Sequence, residues 1–93
     1  MKPDQAAAQL VATWMVEEFE KRGGVLEQDY GATEIETRFG VDFVYDIATF
    51  TGGIDRRVLA AFRRLTGNAV VWSRSERHWR RRRPGDKPGR LQD

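Results

Sequence analysis

Apolar positions recur at helical spacing in three places along the chain and gather at strand spacing towards its end. In the first stretch, Leu10, Val11, Trp14, Met15 and Phe19 fall on one broad face at about 100° per residue, with Gln9, Thr13, Glu17 and Glu20 opposite. Asp4 precedes this run as an N-cap, where its carboxylate meets unpaired backbone N–H groups and the positive end of the helix dipole. Gly23-Gly24 stops it, so the pattern predicts a helix over Gln5–Arg22. Glu18 interrupts the pattern, projecting between Trp14 and Met15 inside the apolar arc. A carboxylate there needs solvent or a cationic partner, and the charge distribution points to an arginine of the C-terminal half.

Val25 and Leu26 read as a brief extended link. Asp29 opens a shorter helix through "YGATEIETRFG", with Ala32, Ile35 and Phe39 inward, Gly31 weakening it and Gly40 ending it. The run "VDFVYDIATFTGG" reads as extended, closing on a Thr51-Gly52-Gly53 turn. The clearest helix is "IDRRVLAAFRRLTG": Asp55 is its cap, Ile54 and Leu59 form a hydrophobic staple, and Gly67 ends it. Val58, Leu59, Phe62 and Leu65 make its apolar stripe. "AVVWSRSERHWRRRR" reads as a β-hairpin over 69–82, with Trp72 opposite Trp79, Ser73 opposite His78 and Arg74 opposite Arg77. Its turn is either Ser75-Glu76 alone or a four-residue loop in the same register. Residues 84–93, "PGDKPGRLQD", read as a disordered tail. The fold class is therefore α+β: one domain over 1–83, three helices followed by a C-terminal β-hairpin, with a short extra strand before the third helix.

Composition narrows the function classes. A chain of 93 residues carries one modest core, here with three Trp, two Tyr and five Phe to fill it. The absence of cysteine excludes a disulfide framework and any Cys-containing zinc site. The N-terminal segment lacks the apolar run of a signal peptide and no stretch has bilayer length, which reads as a cytoplasmic bacterial-type protein with no membrane partner. The net charge of +2 conceals a division. Residues 1–53 hold four Lys/Arg against ten Asp/Glu, and residues 54–93 hold twelve against four, a formal −6 and +8. Such asymmetry calls for a polyanionic partner on the basic half, or for charge-complementary association.

The third helix carries Arg56, Arg57, Arg63 and Arg64 around a small Ala60, opposite its apolar stripe. Arginine's planar fork suits phosphate and guanine edges, although the same face also fits an ordinary solvated surface. The hairpin adds Arg74 and Arg77 at its tip and Arg80 to Arg83 on its exit strand, where alternation sends Arg80 and Arg82 to one face and Arg81 and Arg83 to the other. These arginines also fit the protection of an edge strand. Trp72 follows Val70-Val71 and pairs with Trp79, which favours core packing over base stacking. His78 is the only histidine, and no phosphate loop, nucleophile elbow or metal-ligand spacing is present, so neither an enzyme nor a cofactor is indicated.

The order helix, helix, helix, basic hairpin resembles a winged-helix domain, a resemblance that covers about residues 4–82. It implies a third helix, residues 55–66, in the DNA major groove and a wing, residues 69–82, on the backbone. The sequence departs from that pattern between its second and third helices. Gly40 to Ile54 intervene where a helix-turn-helix uses about three or four residues. The segments "WMVEEFEKRG", "RFGVDFVY", "VLAAFRRLT" and "VVWSRSERHWR" resemble a family of small uncharacterised bacterial proteins, which implies no activity. The sequence thus points to a non-catalytic module for nucleic acid, in particular duplex DNA. Arg56, Arg57, Arg63 and Arg64 would lie at the groove, and Arg74, Arg77 and Arg80 on phosphates. The alternative is a protein–protein module whose basic half meets an acidic protein surface, including the acidic half of a second copy in a homodimer.

Overall fold

Asp4 starts the first helix as expected: its Oδ1 accepts the N–H of Ala7 at 2.8 Å. The computed structural model describes residues 4–45 and 53–93. Helix α1 (Gln5–Lys21) ends at Gly23 and Gly24, both at positive φ, and the chain turns into strand β1 (Val25–Glu27). Gly24 is required by its φ of 90°, and a Cβ there would also displace the Arg81 guanidinium, 2.7 Å away. Helix α2 (Gln28–Phe39) stops at Gly40, whose φ of 110° no side chain tolerates well. The extended run expected next is only partly so. Val41–Phe43 closes a 3₁₀ turn, with the Phe43 N–H reaching back to the Gly40 carbonyl. Strand β2 (Val44–Tyr45) then pairs antiparallel with β3 (Gly53–Ile54). The rest of that run, residues 46–52, with most of the expected glycine turn, lies outside the described residues. Helix α3 (Arg56–Thr66) begins at Asp55, whose carboxylate accepts the Arg57 N–H at 2.8 Å.

Strands β4 (Val70–Ser73) and β5 (His78–Arg81) form the expected hairpin in the expected register, Trp72 opposite Trp79 and Ser73 opposite His78. The four-residue turn Arg74–Arg77 joins them, with Arg77 at a φ of 55° and its N–H on the Ser73 carbonyl. The hairpin is the centre of a four-stranded sheet of order β1-β5-β4-β6. The link at Val25–Leu26 is a real strand, antiparallel to β5. Strand β6 (Leu91–Gln92) runs parallel to β4 and belongs to the segment expected to be a disordered tail. That segment turns back because Trp72 N–H finds the Arg90 carbonyl at 2.7 Å and Arg74 N–H the Gln92 carbonyl at 2.9 Å. The two faces of the sheet have different covers. Val70, Trp72, Trp79 and Leu26 meet the helices, while Val71, Ser73, Arg80 and Gln92 look towards the C-terminal segment.

The core lies between α1, α3 and the sheet. Ala8, Val11, Ala12, Met15 and Phe19 of α1 and Val58, Ala61 and Phe62 of α3 are buried. The alanines let the two helix backbones approach closely, which rotates the buried arc of α1 away from Leu10. Leu10 is 68% exposed and Leu65 is 45% exposed, although both were expected on apolar faces; Ala8, Ala12 and Ala61 take those places. Phe62 meets Trp79 edge-on at 5.7 Å between ring centres, and Trp79 lies 4.7 Å from Trp72. Glu18 is buried, and its partners are not the C-terminal arginines. The Tyr30 hydroxyl donates to it at 2.7 Å, with Lys21 and Arg22 of its own helix at 3.8 Å. That hydrogen bond, with burial, raises the Tyr30 pKa. Among the described residues no helix is long and apolar enough to cross a membrane.

The alanine contact yields a measurable expectation. Ala12→Leu and Ala61→Leu each force bulk into a filled helix crossing and should cost about 1–3 kcal/mol in urea denaturation. Ala60→Leu, on the exposed side of α3, should stay within about 0.5 kcal/mol of the parent. Equal costs at positions 60 and 61 would show that the crossing is not close-packed.

Candidate nucleic-acid interface

Burial of Val58, Ala61 and Phe62 fixes the rotation of α3 and so the direction of its arginines. Arg56, Arg63 and Arg64 are exposed, and none makes a hydrogen bond or ion pair with the described residues. Arg57 is half-buried and lies 3.5 Å from the Asp55 carboxylate. Ala60 is exposed between them, and with Arg57 and Arg64 it borders a shallow depression against Asp4, Gln5 and Ala8 of α1. Four of the sequence-predicted residues therefore share one helix, three of them free.

Two further cations join them from the C-terminal segment. Arg90 donates to the Gly67 carbonyl and to Thr66 Oγ1 at 3.2 Å, across the end of α3. Arg82 donates to the Asn68, Lys87 and Gly89 carbonyls. Burial, and then the positive charges of Arg63 and Arg82, lower the Arg90 pKa, which records how close these cations stand. Among the described residues Arg63, Arg64, Arg82 and Arg90 have no carboxylate at ion-pair distance. The negative end of the α3 dipole and its unpaired carbonyls make this crowding tolerable. Sequence reasoning missed Arg90 because residues 84–93 read as tail, and missed Arg82 because it reads as part of the hairpin's exit strand, on the face of Arg80. The usable signal was Thr66-Gly67, a helix end whose carbonyls need donors.

The hairpin arginines divide. Arg74 is exposed and unpaired among the described residues, and Arg77 reaches Asp29 at 3.4 Å, an exposed pair of little energetic weight. Both sit at the α2 end of the sheet, where Gln28 N–H bonds the Arg77 carbonyl. The α3 cluster sits at the other end, where Arg82 N–H bonds the Ala69 carbonyl. Four residues of strand separate the two ends, roughly 13 Å. Arg80, expected on phosphate, is 11% exposed and held in a two-pronged bond to Asp86 at 2.8 and 2.9 Å, so it is withdrawn from the surface. Strand alternation sends Arg81 with Trp79 to the helix side, where it bonds Glu20 at 2.6 Å and lies over Phe19. The run of four arginines is thus largely structural.

Beside the cluster, α3 and the sheet enclose an open groove of about 530 Å³. Leu59, Trp72, Leu91 and Tyr45 line it, Phe62 and Trp79 lie at its base, and Arg63 and Arg90 border it.

The Arg80–Asp86 pair anchors the C-terminal segment, and its chemistry sets a pH dependence. The Arg80 fork, then the Arg83 N–H, hold the Asp86 carboxyl well below the usual carboxylate range. A depressed folded pKa contributes stability that is complete above the unfolded value, about 3.9, and is lost as pH falls through the folded value. The melting-temperature gap between the parent and Asp86→Asn should therefore be constant from pH 7 to about 5 and narrow below about 4. A gap that stays constant down to pH 2 would show that the pair does not couple to folding.

The chain belongs to a family of unknown function, DUF6953, whose family model matches residues 7–81. No curated protein and no solved structure matches it. The family match stops at Arg81, so Arg82, Asp86 and Arg90 lie beyond the matched region.

Proposed function

We propose that this member of a family of unknown function is a non-catalytic nucleic-acid-binding module that engages duplex DNA through the exposed face of α3. One observation carries the reading: Arg56, Arg63 and Arg64 project from one helix without any partner among the described residues, and the last two stand at the helix end beside Arg90, itself short of a counter-charge. Free guanidiniums on one helix match a row of phosphates, and Ala60 between them leaves room for close approach. Three helices with a hairpin after the third suit a winged-helix mode of docking. In that mode Arg74 and Arg77 are a second, outlying contact, and Arg80 is no contact at all. A cytoplasmic location goes with the same reading.

The rival, association of acidic and basic halves between chains, is weakened by what the halves do within one chain. Arg81–Glu20 and Arg77–Asp29 are already basic-half to acidic-half pairs. Charge that the rival assigns to a second copy is in part satisfied internally.

Anisotropy titrations of a labelled duplex over a series of salt concentrations test the proposal. Neutralising about four phosphates should give a log–log slope of about −3 to −4. Arg63→Ala with Arg64→Ala should flatten the slope by about 2, and Arg74→Ala by about 1 at most. Absence of duplex binding at low salt would end the reading.

A further inference from the structure

The groove between α3 and the sheet has two properties that packing alone does not require. Tyr45 and Leu91, on its border, are 54% and 56% exposed, so two large apolar side chains face a concavity that the described residues leave open. At the same border stand Arg63 and Arg90, with no carboxylate at ion-pair distance among the described residues. The groove's 530 Å³ falls in the range of small-molecule sites, about 300–1,000 Å³. We propose that it binds a small amphipathic anion: a flat apolar body against Trp72, Leu59 and Leu91, with a single carboxylate at Arg63.

The assignment of a monoanion follows from the state of the two guanidiniums. Both terminal nitrogens of Arg90 already donate to Gly67 and Thr66, so this side chain is held in place and contributes mainly its positive field. Among the described residues nothing engages the fork of Arg63. One free fork matches the two oxygens of one carboxylate in a bidentate bond. The fixed cation at the same border strengthens that bond, because Arg90 is partly desolvated. The apolar body follows from the lining: half-buried Trp72 and Leu59 offer ring and methyl surface over the buried Phe62–Trp79 pair. A fully hydrated anion such as free phosphate would leave that surface uncovered.

The inference does not rest on DNA binding, although Arg63 serves both sites. The probe is 2-naphthoate, with uncharged 2-naphthalenemethanol as its neutral counterpart, each titrated into the full chain and read by tryptophan fluorescence. The naphthoate should quench saturably, and the alcohol should bind roughly ten-fold more weakly, the worth of one charge-assisted contact. Arg63→Gln should abolish that discrimination and leave the alcohol's affinity unchanged. Leu91→Asp, which places a carboxylate at the groove's border, should weaken the naphthoate as well. Both positions are exposed, so both variants should fold, and a thermal melt checks this. Arg56→Ala with Arg64→Ala, outside the groove, should leave the naphthoate titration unchanged whether or not they affect duplex binding. Equal affinity for acid and alcohol, no saturable quench, or indifference to both Arg63→Gln and Leu91→Asp would each overturn the assignment.

Discussion

The Trp72–Trp79 pair, seated on Phe62, is the contact on which the rest depends. It fixes the register of the hairpin, and in a strand register decides which way every side chain points. With Trp79 turned to the helices, Arg81 follows it and reaches Glu20 on α1, while Arg80 faces away and meets Asp86. A slip of one residue would present Arg80 to the apolar core and Trp79 to the C-terminal segment. Two aromatic rings thus determine which arginine ties down which part of the chain. They also place α3 against the sheet so that Arg63 and Arg90 border one groove.

What the sequence made legible follows from this. The hairpin register could be read because a Trp pair and β-branched residues mark one strand face. The α3 face could be read because its polar and apolar residues separate cleanly around the wheel. A wheel gives direction but not the shape of the neighbour, and α1 shows the difference. Leu10 looks like a core residue, yet the closeness of α3 favours the alanine face one step round the helix. Glu18 shows the same limit: its place in the apolar arc demands a partner, but Tyr30 lies on a different helix and carries no charge to signal it.

The C-terminal segment was illegible for a different reason. Its glycines, prolines and charges are the composition of a tail, and no periodicity reports its fold. It is held by individual bonds: Asp86 in the Arg80 fork, Gln92 folded back on Lys87, and the Ser73 hydroxyl on the Asp93 carbonyl. Its order is therefore encoded in pairs of residues rather than in a pattern. Each such pair looks like two ordinary surface charges or amides when read along the chain.

The same logic sorts the positive charge of the C-terminal half. Arg57, Arg77, Arg80, Arg81 and Lys87 are in ion pairs, whereas Arg82 is spread over three backbone carbonyls and Arg90 over the Gly67 carbonyl and the Thr66 hydroxyl. Carbonyls satisfy the donors of a guanidinium without cancelling its charge. At the end of α3 this matters, because the helix must find donors for its last carbonyls in any case. Supplying the one at the cap, Gly67, from Arg90 helps to close the helix end and leaves net positive charge standing beside Arg63 and Arg64. The cationic patch is thus a by-product of how the fold closes one helix. It survives because the nearby carboxylate, Asp86, is already engaged by Arg80.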